Sequence, residues 1–419
     1  MRNFTKQFLS QLTFHLQRSK RSFCALLSVC SICLLAYNSA SIFCTRVPIP
    51  AKIPPEPATF SSAIVAGKSR KFFSLPSSAK LSSSALYSVR DEAPAAKSAA
   101  HLHKNRNLVV PTSRQQKGQK GFEARVRDFF AGGGCKLRFF MTWISSSSDS
   151  FREREVFAVT SLFNAHQNGS CCLIIASNSL DSDNGTQILR PLLDKGFKVA
   201  AFSPDFDYLF KGTPAGEWYN QLMRGNVNPG EVPLGQNLSN LLRLGLLYKF
   251  GGIYLDTDVI VLKSLEGLKN SIGAQTVDRA TKIWSRLNNA VMIFDAGHPL
   301  LYKFIQEFAL TFDGNKWGHN GPYMVSRVVS RVAGRPEYKF TIMPPTAFYP
   351  VDWSKIGSLF EGPKGSSHSK WIVAKSRQIM SKSLGVHLWN KQSRGFEVQK
   401  GSIIQLLMLS CGYNFSTEV

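Results

Sequence analysis

The chain has 419 residues, 43% of them hydrophobic, which is enough for a sizeable core and, as a soft prior, for two or three domains. Its formal net charge of +24 suggests a nucleic-acid binder until its placement is considered: residues 1–120 hold 18 Lys/Arg against 3 Asp/Glu, and the remaining 299 hold 33 against 24. The excess belongs mainly to an N-terminal segment rather than to a folded basic face, which argues against nucleic acid as a partner.

In chain order, the first element is an apolar run from Phe23 to Cys44, 22 residues without a charge. At about 1.5 Å per residue a helix of that length just spans a bilayer core. Arg2, Lys6, Arg18, Lys20 and Arg21 precede it, and only Arg46 and Lys52 follow closely. The positive-inside rule then predicts a cytosolic tail over 1–22, a signal-anchor over 23–44 and the bulk of the chain on the far side. A cleaved signal peptide, cut near "NSAS", is the rival reading; the charged leader and the long apolar run argue against it. Residues 45–133 are rich in Ser, Ala, Pro, Lys and Arg with little hydrophobic periodicity, the signature of a flexible stem.

From Cys135 the texture changes to alternating strand and helix signals. "KLRFFMTWI" (136–144) reads as a strand, "REREVFAVTSLFNAHQ" as a helix, "CCLIIAS" as a buried strand, "TQILRPLLDKG" as a helix closed by Gly196, and "FKVAAFS" as a third strand. "LGQNLSNLLRLGLLYKFGG" is a helix stopped by Gly251 and Gly252, and "IYLDTDVIVL" a fourth strand. The alternation predicts an α/β fold with a largely parallel sheet, ligands at the carboxyl ends of its strands, and one catalytic domain over 134–419. Cys135, Cys171, Cys172 and Cys411 would lie in an oxidising lumen, where three pairings are open. Sequons at Asn168, Asn184, Asn237 and Asn414 suit the secretory pathway.

Asp256 and Asp258 stand two apart, so in an extended strand both point to one side. Two like charges there repel unless something positive lies between them, and a divalent cation with oxygen ligands, Mn²⁺ or Mg²⁺, is the economical answer. The plainer alternative is a strand end whose carboxylates face solvent or cap a turn. Asn240 and Arg243, three apart on the preceding helix, share a face that the Gly-Gly turn brings beside the carboxylates.

This combination resembles the sugar-binding region of DXD-containing glycosyltransferases, in particular the α1,4-glycosyltransferase family that includes the lactosylceramide α-galactosyltransferases and many plant homologues. "FFMTWIS", "LNNAVMIFDAGHPLL", "WGHNGPYMVSRV", "PPTAFYPVDW", "GVHLWN" and "GSIIQLL" follow that family's pattern in order, so the likeness covers nearly all of Cys135 to Cys411. The resemblance implies a GT-A type fold, Rossmann-like with a mostly parallel sheet flanked by helices. It also implies retaining, UDP-sugar-dependent transfer that forms an α-linkage, and a single-pass type II enzyme of the Golgi membrane with its catalytic domain luminal. It assigns the metal, Mn²⁺ or Mg²⁺, to Asp256, Asp258 and His387, and donor contacts to Trp143, Asn240, Arg243, Tyr254 and Asp256. By the same likeness Asn289, or Asn288 beside it, is expected with Asp256 at the reacting centre, and Trp317, His319 and Asn320 are expected on the acceptor side. Asn240 departs from the pattern, because many relatives carry aspartate there.

The expected partners are a nucleotide-sugar donor, a glycan or glycolipid acceptor, the membrane through the N-terminal anchor, and Golgi enzyme complexes. Two rivals differ in class. A haloacid-dehalogenase-type phosphatase also uses D-x-D, but that motif usually opens the domain, and here it lies deep inside the chain. An inactive transferase scaffold, acting as a lectin or complex subunit, draws its support from Asn240 alone.

Overall fold

The computed structural model describes residues 120–167 and 171–412. The expected cytosolic tail, anchor and most of the stem fall outside these residues, as do the sequons at Asn168 and Asn414. Among the described residues no helix is long and apolar enough to cross a membrane.

Seven strands make the main sheet: β1 (Leu137–Trp143), β2 (Cys171–Ser177), β3 (Val199–Phe202), β4 (Gly252–Leu255), β6 (Ser271–Val277), β7 (Trp284–Phe294) and β8 (Thr341–Met343). Their spatial order is β3-β2-β1-β4-β7-β6-β8, and only β7 runs against the rest. This is the mostly parallel α/β arrangement expected from the alternation of strand and helix signals. Side chains of β1 alternate between its two faces: Phe139, Met141 and Trp143 enter one apolar cluster, and Phe140 enters the other. β2 is buried along its whole length, as the continuous run "CCLIIAS" requires of a strand covered on both faces.

Four features differ from the sequence reading. The stretch 122–132, read as stem, forms the helix Phe122–Gly132, whose Val126 and Phe130 are buried in the second cluster, so the folded unit begins before 134. Second, "IYLDTDVIVL" is not one strand. β4 stops at Leu255, and Val259–Val261 forms a separate strand, β5, paired antiparallel with β9 (Gly385–His387) in a two-stranded sheet. Asp256-Thr257-Asp258 is a turn, closed by the Val259 N–H donating to the Asp256 carbonyl at 3.1 Å. Third, Cys135 and Cys172 form a disulfide that ties the entry of β1 to β2, leaving Cys171 and Cys411 as free thiols. Burial raises the Cys171 thiol to about 11, so it stays protonated and unreactive. Fourth, Asn237 is buried, and a glycan on that sequon does not fit the folded chain, whereas Asn184 is exposed.

The Gly251-Gly252 turn that delivers β4 to the sheet tolerates no side chain. Gly251 has φ 63° and Gly252 φ 121°, and a Cβ on Gly252 would stand 2.5 Å from the Arg138 carbonyl oxygen of β1. Gly252→Ala is therefore expected to destabilise the fold by at least about 2 kcal/mol through strain and clash. Thermal unfolding of the full chain checks this, and an unchanged midpoint would contradict the close approach.

Candidate active site

The helix Leu234–Phe250 places polar residues three apart, Asn237, Asn240 and Arg243, along one face, and all three are buried. Each meets a different part of the chain. Asn237 Oδ1 accepts from Asn320 Nδ2 (3.0 Å), and Asn240 Oδ1 accepts from Asn289 Nδ2 (2.9 Å). Arg243, 2% exposed, is used almost fully. Its Nη1 donates to the Asn289 carbonyl (2.7 Å) and pairs with Asp256 Oδ1 (3.0 Å). Its Nε donates to the Ser239 carbonyl (3.1 Å) and its Nη2 to Ser239 Oγ (3.2 Å), with its Cζ 4.5 Å from the Tyr254 ring centre. The expected reach of Arg243 to the donor, at its phosphate or its sugar, is not what this placement gives. A buried charge needs a partner, and Arg243 finds it in Asp256, which it fixes from below.

Tyr254 plays the same part. Fully buried, it donates from its hydroxyl to Asp256 Oδ1 (2.8 Å) and lies 2.8 Å from Thr142 Oγ1, so it too sits behind the carboxylate rather than in an open donor pocket. Asp256 also receives its position from β7, its own N–H donating to the Ala290 carbonyl at 2.8 Å. Burial pushes its carboxyl above the ordinary value; Arg243 opposes this, and the Asp258 carboxylate adds to it.

Asp258 is held from another direction. The β5–β9 pairing sets Val259 opposite His387, and the Leu388 N–H donates to the Asp258 carbonyl at 2.9 Å. Trp389 then adopts the left-handed conformation, φ 56°, which turns the chain so that the Asn390 N–H donates to Asp258 Oδ2 at 2.8 Å. A bulky residue in that region costs on the order of 1–3 kcal/mol, and such strain concentrates at functional sites. Trp389 is kept there by its indole N–H donating to the Val351 carbonyl (3.0 Å) and by edge contact with the His387 ring (4.3 Å). His387 Nε2 lies 3.2 Å from Asp258 Oδ1. Burial alone would raise Asp258, but His387 and the Asn390 N–H outweigh it and hold the carboxyl low; the same pairing raises His387 against its own burial.

Ligand atoms of Asp256, Asp258 and His387 lie within 4.8 Å of one another. His387 Nδ1 is buried without a hydrogen-bond partner, and such an atom calls for an explanation. Two carboxylates and an imidazole suit a divalent cation of the Mn²⁺ or Mg²⁺ kind, so the residues present fit the expected metal.

The other expected residues divide. Asn240 and Asn289 are brought together, but their side chains bond to each other, and Gly321 is the residue beside them because a Cβ there would stand 2.8 Å from Asn240 Oδ1. Trp143, at the end of β1, is nearly buried, edge-on to Phe151 (5.2 Å), with Arg394 Cζ 5.6 Å from its ring and its indole N–H unpartnered. Trp317 is 45% exposed, with Lys391 Nζ 3.7 Å from its ring centre. His319 Nε2 meets the Thr311 carbonyl (2.8 Å), and Asn320 is buried, accepting from the Asp313 N–H (3.1 Å) while donating to Asn237; both brace the loop.

Sequence reasoning missed a basic rim. Arg154 Nη1 donates to Asn390 Oδ1 (3.1 Å) and Ser393 Oγ (3.0 Å), and Arg394 pairs with the buried Glu155. Arg154 thereby braces the residue whose N–H holds Asp258, and Lys391 follows that residue in the chain. Their spacing from the D-x-D gives no local signal, because the β5–β9 pairing that assembles them is long-range.

The glycosyltransferase sugar-binding region containing the DXD motif matches residues 152–278, and the α1,4-glycosyltransferase conserved region matches 293–412. Mus musculus lactosylceramide 4-alpha-galactosyltransferase is 34% identical over 218 residues, half of this chain and 55% of that protein. The Pongo pygmaeus protein of the same name is 33% identical, with 90% of its sequence covered. The chain belongs to the α1,4-glycosyltransferase family. Among solved structures, the galactosyltransferase LgtC aligns over 66% of this chain and 95% of its own at 12% identity, with a TM-score of 0.36. This family member spans only about half the length of the mouse relative, and both family regions lie within residues 152–412.

Removing the buried cation under Asp256 leaves an unpaired carboxylate, so Arg243→Leu is expected to cost about 3 kcal/mol. Combining it with Asp256→Asn should return part of that loss. A double-mutant cycle in urea measures the coupling, and additive effects would contradict the pairing.

Proposed function

We propose that this chain is a metal-dependent, retaining glycosyltransferase that moves a hexose or N-acetylhexosamine from a UDP-sugar to a glycan or glycolipid acceptor, forming an α-linkage of the α1,4 type. The observation that carries this reading is the convergence of Asp256, Asp258 and His387, each held by a different element. A divalent cation bound there would supply Lewis-acid neutralisation of the departing diphosphate. Arg243 and Tyr254 keep Asp256 in place, and β9 with the Asn390 N–H keeps Asp258 in place, so the ligands are ordered before the donor arrives. Lys391, one residue after the Asn390 whose N–H holds Asp258, supports positive charge on this side for a diphosphate. Trp143, with its unpartnered indole N–H, supports a nucleobase contact at the end of β1. A retaining transfer needs no strong protein base when the leaving phosphate takes the acceptor's proton, which suits a site built around two metal-side carboxylates. The names of the relatives favour UDP-galactose as donor and a glycolipid acceptor, and the N-terminal apolar run favours a type II Golgi enzyme with this site in the lumen.

The full chain with Mn²⁺ and a panel of UDP-sugars is expected to release UDP slowly, and chelation should stop it. Asp258→Asn should lower that release by about two orders of magnitude. Mn²⁺ at about 100 times its dissociation constant should raise wild-type stability by about 2.7 kcal/mol. It should leave Asp258→Asn nearly unmoved in the same thermal scan. Folded protein that released UDP from no donor would favour an inactive scaffold or lectin. Protease protection in sealed Golgi vesicles tests the topology, and a digested C-terminus would overturn it.

A further inference from the structure

Beside the Trp317 loop, β7 and the helix Pro322–Val332 line a groove of about 570 Å³, and none of Asp256, Asp258 and His387 is among its lining residues. Its lining presents three aromatic side chains, Trp284, Trp317 and Tyr323, and three cations, Arg286, Lys316 and Arg327, with no carboxylate among the lining residues. Two of the cations are already engaged: Lys316 pairs with Asp313 at 2.8 Å, and Arg327 pairs with Glu307 at 3.2 Å. Arg286 is not. Its Cζ lies 4.4 Å from the Tyr323 ring centre, and among the described residues it has no carboxylate partner.

One side chain links the groove to the metal side. Lys391 stands over Trp317 at 3.7 Å, and the residue before it, Asn390, donates its N–H to Asp258 at 2.8 Å.

We propose that this groove is an acceptor subsite selective for sugars that carry an oxyanion, a carboxylate or a phosphate, with Arg286 as the recognising cation. The proposal rests on the transferase reading above for the word acceptor, but its binding chemistry stands apart from turnover. A guanidinium resting on an aromatic face keeps its N–H edge free, and that edge forks onto a planar carboxylate or a phosphate. Trp317 and Tyr323, 45% and 43% exposed, offer flat apolar faces at which a sugar ring can lie while its hydroxyls stay wet. A neutral acceptor could use those rings but would leave the only uncommitted cation of the groove unmatched.

Calorimetric titration of the full chain, without donor, tests this with three probes: a neutral galactose trisaccharide, its uronic-acid counterpart and its 6-phosphorylated counterpart. At least one anionic probe should bind about 10-fold tighter than the neutral one. Whichever wins names the source of the oxyanion. Arg286→Gln should bring that ratio to within about 2-fold, and Arg286→Lys, which keeps the charge but loses the fork, should keep part of it. Each ratio is internal to one variant, so a general loss of folding does not imitate the effect. Equal binding of neutral and anionic probes, or a preference that survives Arg286→Gln, would overturn the proposal. Because no donor is present, an inactive scaffold would still answer, so failure here is separate from failure to release UDP.

Discussion

A buried guanidinium is the constraint on which the site depends. Arg243 sits in the middle of a nearly all-buried helix, and a charge there persists only with its donors matched. The chain matches them with the Ser239 carbonyl one turn earlier, the Asn289 carbonyl on β7 and the Asp256 carboxylate at the end of β4. One side chain thus joins helix, reversed strand and metal-side turn. The reversed direction of β7 matters here, because it brings Asn289 and Ala290 alongside the point where β4 ends, and both their carbonyls take part.

The second aspartate answers to a different constraint. After the three residues 256–258 that follow β4, the chain leaves the main sheet and enters the small β5–β9 ladder, whose partner strand ends on His387. The left-handed Trp389 that follows is strained on its own and is kept by its bond to the Val351 carbonyl and its contact with His387. Asp256 and Asp258 therefore converge because they are the two ends of one turn, each bonded to a strand of a different sheet, and not because they share a strand face.

Much of this was legible in the sequence, and the pieces that were not share a cause. Periodicity alone located β1, β2, β3, the helix Leu234–Phe250 and its glycine stop, since each rests on local pattern. The D-x-D, the downstream His387 and the helix face carrying Asn240 and Arg243 were also visible as candidates. Their roles were not. Whether Arg243 points at a ligand or at Asp256 depends on how deeply the helix is covered, and burial of Asn237, Asn240 and Arg243 on one face is set by tertiary packing. The same holds for Asn320, which braces the loop from Asn237, and for the helix Phe122–Gly132, whose short amphipathic pattern adjoins a long polar stretch. Arg154, Lys391, Arg394 and Arg286 carry no local signature at all, because long-range pairings assemble them.

The account stands on Asp256, Asp258 and His387 serving one cation from two sheets. An anomalous-scattering map of the protein crystallised with Mn²⁺ and UDP tests that most directly. A single peak bounded by all three side chains, with Arg243 still beneath Asp256, is the expected result. A peak held by the aspartates alone, with His387 still bonded to Asp258, or no peak between them, would contradict it.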